Sequence, residues 1–352
     1  MELTGASGKE WKLKVGQQLR NNNPTSLQDG YLSETYMVKD RESKTSYVLK
    51  TQGFASPNCG SPNPTSFMEV LIDEAAIWRK VGLANATPGS AWPKNVVQLV
   101  DVFLNRQTNQ ISFLSESCSK GHVQRRGANQ QYIIMTIVQL CDALIAVYNS
   151  GVPVHGNVGY SSVFVAEDGS VKLSGFGAGR RKMLETTREP LSSAVDVRAL
   201  GALMYEMCTG QPASRSGKVV MPPECETILS ASAVQLANAA LAVAPDARPG
   251  IMDLRNMLTD ILAGRPVQIP GGAGAAAAGG GGKGKSSKPS GGIQKQKSVL
   301  ASLRAGSGGE SSDSDADGRG SRSSKNSSGM LQSQPSLRDM VKKSGVPRQP
   351  SQ

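Results

Sequence analysis

Few residues in this chain are of types that could do chemistry, and the first candidates are two charged residues, Lys50 and Glu74. Lys50 ends a run typical of a β-strand, and Glu74 lies in a run with helical spacing. The segments HGNVGYSS at 155–162 and GFG at 175–177 are the other candidates. Taken singly, each has an ordinary explanation, since a lysine at a strand end is usually solvated and such glycine-containing segments are typical of turns.

Metal and disulfide chemistry have little support in the sequence. The chain has two histidines and five cysteines, and the cysteines show neither CxxC spacing nor an even number. These counts argue against a zinc site and a disulfide framework, and they favour a reducing, cytoplasmic setting. The chain contains no run of 18 apolar residues, and no basic segment leads into an apolar run near its start. We therefore expect neither a membrane span nor a signal peptide.

The elements that must position these candidates change from strand-like to helix-like along the chain. Short strand patterns separated by turns precede a helical pattern at 66–81, for which Thr65 or Ser66 is the expected N-cap, and two more strand patterns follow. Farther along, a long helical run ends at Gly151, another helix begins near Ser192, and two more helical runs follow. The predicted fold class is α+β.

Composition divides the chain near Pro270. The residues after it are rich in Gly, Ser, Lys and Arg without periodicity, which predicts disorder. We predict a flexible N-terminus over 1–9, a folded domain over 10–266 and a basic tail over 267–352. From residue 271 onward the tail has 13 Lys/Arg and 5 Asp/Glu, which gives +8 of the chain's formal net charge of +11. The basic balance therefore belongs mainly to the tail.

Four pieces of sequence, in matching order and at matching spacing, resemble the eukaryotic protein kinase family. TYMVKDRESKTSYVLK resembles two strands of its small lobe, with Lys50 as the V-A-I-K lysine, and Glu74 follows in the next helix. The family's H-R-D-L-x-x-x-N and D-F-G motifs are matched in spacing by HGNVGYSS and GFG. Its later helical motifs are matched by VDVRALGALMYEMCTGQPA and PDARPGIMDL. The resemblance covers roughly residues 10–265. It implies a bilobal fold, with a small β-rich N-lobe at about 10–117 and a mainly helical C-lobe at about 118–266.

The resemblance also implies a structural spine. The family stacks four apolar or aromatic groups from one lobe to the other and anchors them through a buried aspartate, and the matching residues are Trp78, Leu99, His155, Phe176 and Asp196. A buried carboxylate needs hydrogen-bond donors, which the backbone near His155 is expected to supply. The scaffold is therefore predicted to be intact.

The family's catalytic positions, in contrast, hold residues that cannot do its chemistry. Asn157 stands at the catalytic aspartate, and Ser162 and Gly175 stand at the two magnesium ligands. A neutral amide cannot accept a proton as a carboxylate does, and glycine has no ligand atom in its side chain. Gly159 replaces a lysine, and the interval from Gly175 to Asp196 is shorter than is usual in the family. We predict no intact catalytic residue and no metal site, and therefore a pseudokinase.

The nucleotide site is predicted to be degraded as well. The family's G-x-G-x-x-G pattern aligns on Gln28, Gly30 and Ser33, so only the middle glycine is kept. Side chains at the outer positions hinder the approach of backbone N–H groups to phosphate. Val48 and Phe164 are bulkier than the family's usual residues around adenine. We therefore expect weak or absent ATP binding.

Three residues remain as candidates for residual nucleotide binding, namely Lys50, Glu74 and Gly30. The resemblance implies an ion pair between Lys50 and Glu74, which would either orient a phosphate or tie the helix to the sheet. No cofactor and no magnesium requirement are expected. The predicted function is a catalytically inactive, kinase-like scaffold or allosteric regulator with a regulatory tail. The alternative is an atypical protein kinase that uses ATP without the usual magnesium ligands.

Partners are predicted from a closer resemblance and from the tail. Three segments are similar to the Numb-associated and actin-regulating kinase group, namely SESCSKGHV, ALGALMYEMC and ILAGRPVQIP. That group works at endocytic membranes and the cell cortex. The implied partners are proteins, either an active kinase or cortical and endocytic machinery, met in the cytoplasm or peripherally at a membrane or the cortex. The tail's charge is compatible with weak contact with an anionic membrane. Its sparse lysines and its lack of aromatic residues argue against nucleic acid.

The tail also contains an acidic serine cluster. Ser312 and Ser314 each have an aspartate three residues on, a pattern that acidophilic kinases prefer. Phosphorylation of both would offset part of the tail's positive charge. We therefore expect a phosphoprotein.

Overall fold

Strands come first along the chain and helices follow, as the sequence pattern predicts. The computed structural model describes residues 1–22, 31–54, 64–85, 92–105, 110–177, 180, 190–214 and 217–269. The strands are β1 (Glu2–Thr4), β2 (Glu10–Asn22), β3 (Tyr31–Asp40), β4 (Ser46–Phe54), β5 (Leu99–Asn105), β6 (Gln110–Glu116), β7 (Val163–Val165) and β8 (Val171–Leu173). The helices are α1 (Pro64–Ala84), α2 (Gln130–Asn149), α3 (Ser193–Thr209), α4 (Ala231–Ala240) and α5 (Ile251–Leu262). The fold class is therefore α+β, with a β-rich region followed by a mainly helical one.

Some predicted features lie outside the described residues. They are Gln28 and Gly30 of the expected phosphate loop, and the tail beyond residue 269 with its serines Ser312 and Ser314. The predictions made for them stay predictions.

Six strands form one antiparallel sheet in the order β1-β2-β3-β4-β6-β5. Because side chains alternate between the two faces of a strand, alternate residues of these strands collect on one face. The buried cluster on that face consists of Trp11, Leu13, Tyr36, Val38, Leu49, Phe103 and Leu114. The central core is a second cluster, to which α1 contributes Leu71, Trp78 and Val81. Within the sheet, β4, which carries Lys50, lies between β3 and β6 and pairs with both.

The N-terminal segment is part of this sheet, so the prediction of a flexible terminus over 1–9 is wrong. β1 pairs antiparallel with β2. Just beyond β1, Ala6 N donates a 2.8 Å hydrogen bond to Val102 O on β5. Since β1 and β5 are the two edge strands, this segment joins the edges of the sheet. A three-residue strand is too short to show alternation, so no periodicity marks it in the sequence.

α1 begins earlier than predicted. Its first residue is Pro64, so Thr65 and Ser66 lie within the first turn, and the prediction that one of them caps the helix is wrong. Proline is favoured in the first turn of a helix because its missing N–H would have no intrahelical partner there.

The C-terminal half of α1 is fixed to its surroundings by side-chain hydrogen bonds. Trp78 Nε1 donates to Val97 O at 2.6 Å, and Nδ2 of Asn85, the residue directly after the helix, donates to Ala146 O on α2 at 2.8 Å. The helix is therefore attached both to the segment that leads into β5 and to the helical region.

The helical region is built around α2. Asn129 caps this helix by accepting a 2.9 Å hydrogen bond from Tyr132 N, and Gly151, at φ +76°, follows its end as predicted. By length and composition α2 is the one described helix that is apolar enough to cross a membrane, and nine of its residues are buried in the core. This burial is typical of the core helix of a soluble protein.

The short hairpin of β7 and β8 connects the helical region to the sheet. Val97 N donates to Leu173 O at 2.9 Å, and Leu173 N donates to Asn95 O at 2.8 Å. Lys172 Nζ on β8 lies 2.9 Å from Glu116 Oε1 at the end of β6, and both side chains are largely shielded from solvent. The two parts of the fold are thus joined by backbone bonds and an ion pair.

Candidate functional site

Asn157, Ser162 and Gly175 lie together and are bonded to one another's segments. Asn157 Nδ2 donates to Gly175 O at 2.9 Å, and Ser162 Oγ donates to Asn157 O at 2.7 Å. Gly159 N donates to Ser162 Oγ at 3.1 Å. The amide and hydroxyl groups at these three positions are therefore engaged with the protein itself. We call this set of bonds the internal network.

Gly175 is required by both its conformation and its surroundings. Its φ is +94°, a region that residues with a Cβ rarely adopt. A Cβ at this position would lie 2.6 Å from Asn157 Nδ2 and 3.0 Å from Ser162 Cβ. A carboxylate side chain at residue 175 would therefore require the Asn157 side chain to move.

Lys50 and Glu74 meet across the sheet and α1. Lys50 Nζ lies 3.3 Å from Glu74 Oε1, and the Glu74 side chain is 2% exposed, whereas that of Lys50 is 35% exposed. Glu74 Oε2 has no hydrogen-bond partner within the described part of the chain. It lies against Gly177, where a Cβ would overlap the carboxylate. The third nucleotide-site candidate, Gly30, lies outside the described residues.

Three of the predicted spine residues, Trp78, Phe176 and His155, stack in one column. The rings of Trp78 and Phe176 have centroids 6.0 Å apart with planes inclined by 27°, and His155 meets Phe176 edge-on at 4.8 Å. Leu99 belongs to the same buried cluster as Trp78 and Phe176. The column therefore runs from α1 through Phe176 to the start of the 155–162 segment.

Asp196, in the first turn of α3, lies below this column and accepts three hydrogen bonds. The donors are His155 N at 2.7 Å, Gly156 N at 2.7 Å and the Tyr148 hydroxyl at 2.9 Å. Burial raises the pKa of Asp196, whereas these bonds and the nearby Arg180 guanidinium favour the ionised form. Burial likewise raises the pKa of Tyr148, so its hydroxyl stays a donor.

Arg180 is a residue that sequence reasoning missed. Its Nη2 donates to Val154 O at 3.2 Å. Burial lowers the pKa of Arg180, and the carboxylates of Asp196 and Asp73 act in the opposite direction. Arg180 thus brings positive charge to the segment after Gly175. No motif marks it, because an isolated arginine beside glycines has no characteristic spacing.

An aromatic stack beside the site was also missed. His122 packs on Phe164 at 4.4 Å and on Tyr160 at 5.1 Å between ring centroids. Arg125 lies 5.3 Å above the Tyr160 ring and pairs with Glu206 on α3 at 2.7 Å. Next to this stack, a cavity of about 420 Å³ separates the 156–161 segment from α3. These contacts join residues from distant parts of the chain, which no local pattern could indicate.

We expect His155 to make the domain acid-sensitive. Burial lowers the pKa of the His155 imidazole from its ordinary value of 6.5 to about 3, with a smaller contribution from Arg180. Below pH 6.5 the unfolded chain therefore binds a proton that the folded chain does not. The contribution of His155 to the free energy of unfolding is complete above pH 6.5. It is lost as the pH falls toward 3, by at most about 1.4 kcal/mol per pH unit.

Urea unfolding at pH 7, 6 and 5 measures this slope. The chain has one other histidine, the exposed His122, which supplies the matched control. His122→Gln should keep the slope of the wild type, whereas His155→Gln should reduce it. An equal slope in both variants would contradict the assignment.

Comparison with known proteins gives one distant similarity. No protein-family model matches the chain. Serine/threonine-protein kinase Nek1 of Mus musculus is 25% identical to it over 150 residues, which cover 36% of this chain. The match spans only 12% of the length of the mouse protein. At a coarse level, this similarity indicates a relationship to the protein kinase-like superfamily.

Proposed function

We propose that this chain is a catalytically inactive member of the protein kinase superfamily, with a bilobal kinase-like domain that serves as a protein-binding scaffold or allosteric regulator. The observation that carries the proposal is the internal network of Asn157, Ser162 and Gly175. In the family, these positions orient the acceptor hydroxyl and hold magnesium on the phosphates. Here they bond to each other, and a side chain at residue 175 would require the Asn157 side chain to move.

The rest of the site supports a binding role. The column of Trp78, Phe176 and His155, the bonds to Asp196 and the Lys50–Glu74 pair hold the domain together through contacts between its own residues. A domain with this internal support can present one surface to a protein partner. We assign the basic tail a regulatory role in that binding.

One observation favours a second candidate function, an atypical kinase that binds ATP without the usual magnesium ligands. The Lys50 side chain is 35% exposed and meets Glu74 through a single 3.3 Å contact, so its ammonium group is accessible to an anion. A lysine of this kind can bind a phosphate as a point charge.

The two functions differ in their response to nucleotide, which thermal unfolding of the full chain measures. For a Kd near 1 mM, about 1 mM ATP stabilises by only about 0.4 kcal/mol. We expect a rise in Tm of about 2 °C or less, with no further rise when magnesium is added. Lys50→Ala is the matched control and should respond in the same way as the wild type. A magnesium-dependent rise at micromolar ATP that Lys50→Ala abolishes would contradict the proposal.

A further inference from the structure

The N-terminal segment is held to the far edge of the sheet by one buried carboxylate, Asp101 on β5. Ser7 Oγ donates to Asp101 Oδ2 at 2.5 Å, and Trp11 Nε1 donates to the same oxygen at 2.8 Å. Ser7 N donates to Asp101 Oδ1 at 3.2 Å. Gly5 lies so close that a Cβ there would overlap the carboxylate. We call Ser7, Trp11 and Asp101 the N-terminal clasp.

The clasp is held by hydrogen bonds that Ser7 and Trp11 donate to the negatively charged Asp101 carboxylate. Burial alone raises the pKa of Asp101, but the hydrogen bonds from Ser7, Trp11 and the Val102 amide outweigh it, and the net pKa lies below the ordinary value. Asp101 is therefore ionised at neutral pH. Hydrogen bonds to a charged acceptor are roughly twice as strong as neutral ones, so each donor matters for holding the segment.

Ser7 is the accessible member of the clasp. Trp11 and Asp101 are 4% and 5% exposed, whereas Ser7 lies on an exposed turn next to Gly8, whose φ is +82°. A modifying enzyme can therefore reach Ser7 while the other two residues are covered. The Ser7 hydroxyl is also the only group of the clasp that a phosphoryl transfer would convert from a donor into an acceptor.

We propose that Ser7 is a phosphorylation site and that its phosphate opens the N-terminal clasp and releases β1 from β2. The phosphoryl group comes from a nucleoside triphosphate and is transferred by a separate protein kinase. The Ser7 Oγ–P bond forms, the bond between the γ-phosphorus and the leaving diphosphate oxygen breaks, and the hydroxyl proton passes to the base of that kinase.

The physical reason is a reversal of the interaction at Asp101. A phosphoserine carries a charge of about −1.5 to −2 and has only acceptor oxygens. The strongest side-chain donor to Asp101 would be lost, and two anionic groups would lie within hydrogen-bond range of each other. Because Ala6 N reaches Val102 O just beside this point, release of Ser7 also removes the bond that joins the sheet edges. The backbone groups of β2 that pair with β1 would then be exposed.

The experiment uses the full chain with phosphoserine incorporated at residue 7. Hydrogen–deuterium exchange of the amides of residues 3–6 should be at least about ten-fold faster than in the wild type, since these amides are protected only while the segment is bound. The matched control is phosphoserine at Ser43, whose hydroxyl donates to Asp40 at 2.7 Å within the turn between β3 and β4. Phosphoserine at residue 43 adds the same charge beside a carboxylate, but within a single turn. It should therefore leave the exchange of the amides of residues 3–6 unchanged.

Two further results decide the proposal. Ser7→Ala removes the donor without adding charge and should accelerate exchange less than phosphoserine does. Equal effects of the two, or no effect of phosphoserine at residue 7, would overturn the charge-driven opening. Phosphopeptide mapping of the endogenous protein should find phosphate on Ser7, and complete coverage of that peptide with Ser7 always unmodified would overturn the assignment of the site.

Discussion

The triple variant Asn157→Asp, Ser162→Asn, Gly175→Asp is expected to phosphorylate no general peptide substrate and to be less stable than the wild type. It restores the family's residues in name, but Gly175 has a φ of +94°, and a Cβ there would lie 3.0 Å from the Cβ of residue 162 and would press on the side chain at residue 157. Asn157→Asp also replaces the donor that binds Gly175 O with a carboxylate that repels it. Backbone strain and overpacking together should cost about 2–5 kcal/mol.

Urea unfolding and a peptide phosphorylation assay measure the two parts of this prediction. Gly264→Asp is the matched control, because Gly264 also has a positive φ, +68°, with nothing within 4 Å of a Cβ. It should cost only about 1–2 kcal/mol, from the left-handed conformation alone. Robust phosphorylation by the triple variant, absent from the wild type, would show that the internal network rearranges readily and would contradict our account of the site.

Asp196→Ala is expected to be the most damaging single substitution in the helical region. It leaves His155 N, Gly156 N and the Tyr148 hydroxyl without their acceptor inside the protein. Each buried donor left without a partner costs about 1–3 kcal/mol, so the loss should be at least about 3 kcal/mol. Because a domain has only about 5–15 kcal/mol of stability in total, the variant should be partly unfolded or should precipitate on expression.

Equilibrium unfolding tests this prediction with Tyr148→Phe as the graded control. That variant removes one of the three donors and keeps the aromatic ring, so it should cost about 1 kcal/mol. If Asp196→Ala were as stable as Tyr148→Phe, the carboxylate would not be the anchor of this segment.

The parts of the fold with one buried face could be predicted from the sequence. α2 shows repeated apolar spacing and ends at Gly151, because a helix packed on a core must repeat its apolar face and stop where glycine can adopt a positive φ. The short strand patterns predict β2 to β6 for the same reason. The meeting of Lys50 and Glu74 followed from the family resemblance and could not have come from periodicity.

Contacts between distant residues could not be predicted. Ser7 and Asp101 are 94 positions apart, and neither has a spacing that points to the other. Glycine at 175 is compatible with almost any backbone conformation, so the sequence shows that a ligand atom is missing there but not that Asn157 fills the space. The same holds for His122, which reaches Phe164 and Tyr160 only through the folded chain.

The attachment of α1 determines how that helix can move. Its C-terminal half is fixed by Trp78 to Val97 and by Asn85 to Ala146, whereas Lys50–Glu74 is a single partly exposed contact nearer its start. A helix rises about 1.5 Å per residue, so Pro64 lies roughly 21 Å from Trp78 along the axis. A rotation of about 10° around the fixed half would therefore displace the start of the helix by about 4 Å. That swing is opposed by the core packing of Leu71 and by the Lys50–Glu74 ion pair, and a partner that binds the first turns of α1 would act on the end that moves most.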